Sequence, residues 1–301
     1  MPTSDSSTLD IQKLLKAIKY NACNRNKVSQ NLDRVKYSQP VNIVKKGITA
    51  LQPESLGNCL YIDGIQKSLT LQYVDSRAIV LQYSAAAAVK GNGEPVKVNE
   101  KLIIRHSATD QPLIDRYQTN IDSEQVLGME PPTIESDMHT ALCNDRIFAE
   151  KSIINDILGN SSTDSIYVCV DGSIPFEVNS DKVFGVIKTT DRVYLPSENE
   201  LYSLKPGEIS SIFKISQSQR ISGEIFSCYL KVAGGGDQNW NYGLIRIEAL
   251  RDDILIKYAS HILTLVQKYN DRDFRVDRQI RPIWLCEEFL KARAPRVFSA
   301  I

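Results

Sequence analysis

Val168-Cys169-Val170-Asp171-Gly172-Ser173 is an apolar run that stops at an aspartate followed by glycine, and Leu60-Tyr61-Ile62-Asp63-Gly64 stops in the same way. A strand holds its last side chain on a rigid element, and glycine lets the backbone turn away from it. Each carboxylate is then left at a sheet edge, open to a cation. Asp-Gly is also a common turn dipeptide, so each motif alone reads equally as a hairpin end or a cap.

A third acid lies between them. From Met138 to Leu158, Cys143, Ile147, Glu150, Ile154 and Ile157 recur at helical offsets of four and three residues, the seam of one helix face. Glu150 falls inside that apolar stripe, whereas Asp145 and Asp156 fall on the opposite, solvated side of the wheel. A core-facing glutamate needs protonation, a basic partner or a metal, because burying a free carboxylate is costly. A rim position with its tip in water is the other reading. Asp63, Glu150 and Asp171 together form a candidate set of metal-binding and catalytic acids.

Around these acids the chain predicts an order of elements. A strand ends at Asp63, Leu69–Val74 and Ala78–Val89 follow as further strands, and Leu102–Arg105 adds a short one, giving an antiparallel meander. Residues 107 to 137 are polar, contain Gly128 and Pro131-Pro132, and read as a long loop before the Glu150 helix, which Gly159-Asn160-Ser161-Ser162 ends. Ile166–Asp171 reads as a strand buried on both faces, and Val183–Ile187 follows with Lys188 at its end. After a mixed polar stretch from Thr189 to Ser222 come a hairpin, Ile225–Val232 with Tyr242–Ile247, and two helices near Arg251–Lys268 and Ile283–Arg293. Pro282 suits the start of the last helix.

Composition sets the bounds. The chain has 301 residues, 42% hydrophobic and 24% charged, enough for a substantial core without staples. No apolar stretch approaches the roughly 18 residues of a membrane span, and no secretory leader is legible, which leads us to expect a cytoplasmic protein without a membrane partner. The six cysteines and three histidines lack ligand spacing, and no phosphate-binding or dinucleotide-binding glycine motif occurs, so nucleotide-driven chemistry would need a partner. Residues 1–46 carry nine basic against three acidic residues in a chain of zero net charge. A basic arm beside an acidic body suits a phosphodiester substrate, although Ile11, Leu14, Leu15 and Ile18 also make an ordinary amphipathic helix of this segment. We divide the chain into a basic helical arm (1–50) and a catalytic domain (51–301).

An antiparallel meander, a helix and then a strand bearing a second acid is the order of a ribonuclease-H-like α/β core, a mixed sheet flanked by helices. On Asp63-Gly64, Glu150 and Asp171-Gly172-Ser173 the chain resembles the NurA nucleases. Val183-Phe184-Gly185-Val186-Ile187-Lys188 is similar to that family's strand ending in lysine, and Ser227-Cys228-Tyr229-Leu230-Lys231 with Ile245-Arg246-Ile247-Glu248 is similar to its later hairpin. Ile65 stands where the family more often has a small residue. The family's C-terminal histidine has no counterpart, since Pro282-Ile283-Trp284-Leu285-Cys286-Glu287-Glu288 offers acids instead, on a helix face that also reads as solvated. The resemblance implies Mn²⁺ or Mg²⁺ ions about 4 Å apart, held by Asp63, Glu150 and Asp171, with Lys188 as a phosphate contact. It further implies hydrolysis of DNA single strands and ends by a homodimer docked on a HerA-type hexameric ATPase, in DNA repair or antiviral defence. The alternatives are a catalytically weak or inactive adaptor subunit of that motor, and a hydrolase of small phosphate esters.

Overall fold

The computed structural model describes residues 36–37, 42–74, 77–107, 110–116, 121–125, 134–159, 165–175, 177–188, 192–195, 198–215, 224–234, 241–266 and 280–298. Three short strands, β1 (Lys36–Tyr37), β2 (Asn42–Lys45) and β3 (Thr49–Ala50), precede a meander of long ones, β4 (Cys59–Val74), β5 (Arg77–Lys90) and β6 (Pro95–His106). The predicted strand end at Asp63 is not an end. β4 runs on for 16 residues, with Asp63 opposite Ala87 and Gly64 opposite Ala86. Ile65, Leu69 and Leu71 continue the alternation into the core, and the ladder to β5 satisfies the backbone that an Asp-Gly turn would otherwise reverse.

β5 is buried on both faces and carries Ala85-Ala86-Ala87-Ala88. Alternation sends Ala85 and Ala87 into one apolar cluster and Ala86 and Ala88 into another. Such small side chains let helices approach closely from both sides.

The segment expected as a loop over 107–137 contains a helix, α1 (Gln111–Arg116), and an edge strand, β7 (Asp122–Gln125), parallel to β6. Charge marks this edge. Arg105 of β6 is almost fully buried, and its Nη2 donates to Glu124 of β7 at 2.9 Å and to Asp145 at 2.7 Å. A hydropathy pattern cannot register a strand flanked by an ion pair, and Asp145 is therefore not the solvated residue expected. It sits on α2 (Ile134–Gly159), whose Ala149, Ile153, Ile154 and Ile157 pack on Leu60, Ile62, Ala86, Ala88, Val168 and Val170.

The chain then lays β8 (Tyr167–Asp171) parallel to β4, and β9 (Val183–Ile187) parallel to β8. Next come β10 (Arg192–Val193), α3 (Glu198–Ser203), β11 (Glu208–Ile209) and β12 (Ile212–Ile215), in a stretch read as polar and mixed. Ile209, Ile212, Phe213 and Ile215, four apolar residues within seven positions that the reading of this stretch as polar passed over, are all buried. β13 (Ile225–Lys231) and β14 (Leu244–Ala249) form the expected hairpin, and α4 (Asp252–Leu265) and α5 (Arg281–Arg293), with Pro282 in its first turn, follow.

The result is a mixed α/β fold. Among the described residues its main sheet has twelve strands, ordered β2-β12-β13-β14-β9-β8-β4-β5-β6-β7, with β11 pairing to β13 and β3 pairing to β11, while β1 and β10 pair separately. Helix α2 covers one face of the centre and α4 and α5 the other. Residues 42–45 and 49–50, assigned to the N-terminal arm, are strands of this sheet. The helix expected over Ile11–Ile18 and the charged linker 270–273 lie outside the described residues. No helix among the described residues is long and apolar enough to cross a membrane.

The α4 face closes on Phe184 of β9, fully buried and stacked on Tyr258 with centroids 4.4 Å apart. Phe184→Ala is expected to cost about 3–5 kcal/mol in a denaturant titration, the range for emptying a buried aromatic site. A loss below about 1 kcal/mol would contradict its place at the centre of the core.

Candidate functional site

The parallel ladder between β4 and β8 runs from Cys59 opposite Tyr167 to Ile62 opposite Val170. Asp63 and Asp171 are the next residue on each strand and therefore neighbours. Tyr61 and Ile65, on either side of Asp63, and Cys169, two before Asp171, belong to the cluster under α4 and α5. By alternation both aspartates emerge on that face. β8 ends here because Gly172 adopts φ +102°, turning the chain while its N–H donates to Val186 O at 2.8 Å. The Asp171 side chain is left about one-fifth exposed, with 21% of its surface open.

Two groups approach the pair from this side. Lys188 follows β9, and its Nζ lies 2.8 Å from Asp171 Oδ2. On α5, Cys286 Sγ donates to the carbonyl of Ala87, the residue opposite Asp63, at 3.2 Å. Its neighbour Glu287 pairs with Lys291 at 3.0 Å and stands near enough to act electrostatically on Asp171 and Lys188.

Glu150 comes from the opposite face. It is buried on α2, and its Oε1 lies where a Cβ on Gly64 would stand; Arg146 Cγ would be 2.8 Å from that same Cβ. Gly64 thus serves close approach rather than a turn. Arg146, one helical turn before Glu150, forms an ion pair with its Oε1, and Arg146 Nε donates to Gln66 Oε1 at 3.2 Å. All four residues singled out in the sequence, Asp63, Glu150, Asp171 and Lys188, therefore meet at one place, but in two layers with the backbone of Gly64 between them. Among the described residues, no three His, Cys, Asp or Glu side chains gather tightly enough to ligate one ion together as they stand.

The acids are electrostatically strained. Burial, then repulsion from Asp171, pushes Asp63 up to about 8, despite Lys188 and the Gly64 N–H, which Asp63 Oδ1 accepts at 2.7 Å. Burial likewise raises Glu150 to about 7, Arg146 offsetting part of it. Asp171 is also raised, by burial first, with Lys188 opposing and Glu287 adding. Burial alone would lower Lys188, but Asp171, Asp63 and Glu287 together hold it above the ordinary lysine value. Two carboxyls that titrate near neutrality can exchange protons there, and a buried acidic pair favours a bound cation.

No histidine joins the site. His261 accepts the Leu56 N–H at Nδ1, 3.2 Å, which leaves the Nε2 proton facing the Tyr61 hydroxyl at 2.8 Å, and burial lowers its pKa to about 4. Arg146 was not singled out in the sequence, although a basic residue four before a core-facing glutamate is the signal that could have found it. Glu287 is one of the two acids noted where a C-terminal histidine was expected, on a helix face that read as solvated; α5 packs against β4 and brings it near Asp171. No protein-family model matches the chain, and no curated protein matches it significantly.

The raised acids give folding a definite pH dependence. Unfolded carboxyls ionise near 4, whereas the folded protein keeps protons on Asp63 and Glu150 to about 8 and 7. The native state binds more protons across that interval, so stability falls as pH rises from about 4 to about 8 and then levels off. A melting series in EDTA from about pH 5 to 9 should show the wild-type Tm declining and Asp63→Asn with a flatter profile, higher than wild type at the alkaline end. Parallel profiles would contradict the strained-acid account.

Proposed function

We propose that the protein is a metal-dependent DNA nuclease of the ribonuclease-H-like kind, similar to the NurA nucleases. One observation carries the reading: Asp63 and Asp171 stand side by side on adjacent parallel strands, both raised by burial and, for Asp63, by its neighbour. The meander β4–β6, the helix α2 with Glu150 and the parallel strand β8 with the second aspartate support the ribonuclease-H-like assignment.

Hard carboxylate oxygens suit Mg²⁺ or Mn²⁺, and Mg²⁺ is commonly held by one or two carboxylates plus substrate phosphates. Asp63 and Asp171 fit that role, with Glu150 behind Gly64. When bound, the ion would activate water and stabilise the leaving oxygen of a phosphodiester. Lys188, held now by Asp171, is the cation that a substrate phosphate would meet beside the pair. Glu150, poised near neutrality and tethered by Arg146, is placed to hold or release a proton behind the first layer. The basic excess over residues 1–46 favours DNA over a small ester. A homodimer on a HerA-type hexameric ATPase, working in DNA end processing or antiphage defence, follows from the resemblance to NurA.

A second reading, an adaptor of the motor without activity, is favoured by the ion pairs Lys188–Asp171 and Arg146–Glu150, which would serve as well to satisfy buried acids in a structural role. Cleavage of end-labelled single- and double-stranded DNA with Mn²⁺, Mg²⁺ or EDTA separates the two, run alone and with a co-purified motor. Metal-dependent cutting that drops about a hundredfold or more in Asp171→Asn, with folding intact, is the expected outcome. No cutting under any condition with the motor still bound would establish the adaptor, and cleavage of small phosphate esters but not DNA would redirect the substrate.

A further inference from the structure

We propose that Glu248 is a positioning residue for Asp171, acting through the turn that follows it. Glu248 of β14 is fully buried, and its Oε2 accepts the N–H of Ile174 at 3.3 Å. Its Oε1 is held at 2.5 Å by Arg246 Nη1, and Arg246, also buried, is fixed in turn by Ser227 Oγ at 3.4 Å and by the Tyr194 ring, 4.7 Å beneath its guanidinium.

The geometry explains why a charge is kept inside the sheet. Beyond Asp171 the chain reverses over β9, and it crosses at Gly185: a Cβ there would lie 2.5 Å from Gly172 O and 3.1 Å from Ile174 N. Glu248 is the register partner of Gly185 on the next strand. It therefore reaches over a position that has no side chain and clamps the far end of the turn, while the Gly172 N–H to Val186 bond clamps the near end. Asp171 stands at the start of this turn, and its carboxylate direction is set by a loop held at both ends. An apolar side chain at 248 would leave the Ile174 N–H without its partner and the turn free to lift.

The catalytic consequence rests on Asp171 acting in the nuclease reaction proposed above; the clamp itself does not. Removing one charge alone would strand the other, so the test uses matched pairs: Arg246→Met with Glu248→Gln keeps an acceptor, and Arg246→Met with Glu248→Leu removes it. Amide hydrogen exchange should find Ile174 protected in the wild type and the Gln pair and unprotected in the Leu pair. In Mn²⁺-dependent DNA cleavage the Leu pair should lose about tenfold to a hundredfold in kcat with KM nearly unchanged, and the Gln pair should recover most of it. An Ile174 amide still protected in the Leu pair overturns the clamp. Unchanged kcat with that protection lost overturns the positioning role, and a wild type that cuts no DNA overturns the functional reading while the exchange result still decides the clamp.

Discussion

The parallel ladder between β4 and β8 governs the site because it stops while β4 continues. Four rungs set Asp63 and Asp171 beside each other, and the left-handed turn at Gly172 then removes β8 from the sheet. A strand that ended on both sides would leave two loose turns. Here one aspartate is locked mid-strand by its ladder to β5 and the other stands at an open end, so the pair combines rigidity with access.

Burial sets the electrostatics of this arrangement more than any single contact. It is the leading cause of the upward shift at Asp63, Glu150 and Asp171, and Lys188 and Arg146 only partly offset it. The two basic residues are divided between the layers, Lys188 with the aspartates and Arg146 with the glutamate. Charge on one side of the Gly64 backbone is thus answered on the same side, and the layers communicate mainly through the field they share.

Much of this was legible in the sequence, because it rests on patterns of strong period. The seam that includes Glu150 is a helix signal, and the helix buries that glutamate; the apolar runs before Asp63 and Asp171 are strands, and they lie side by side. The failures share one physical origin: local signals were overruled by partners distant in sequence. Asp63-Gly64 reads as a turn, but β5 holds it straight; 107–137 reads as a loop, but Arg105 draws β7 to the sheet edge by charge. The wheel that placed Asp145 in solvent could not include Arg105, 40 residues away. Glu248 was invisible as a buried acid for the same reason, since Arg246, Gly185 and Ile174 justify it only once three strands and a turn have come together.

The four consecutive alanines of β5 have a consequence for how the site can vary. Ala86 and Ala88 set the standoff of α2, the helix that carries Glu150, whereas Ala85 and Ala87 belong to the cluster packed by α5, which carries Glu287. A single strand thus acts as a two-sided spacer. Enlarging Ala86 or Ala88 would push the Glu150 helix outward while the aspartates stay on their own strands, so the separation between the glutamate and the aspartates is adjustable from residues closed to solvent.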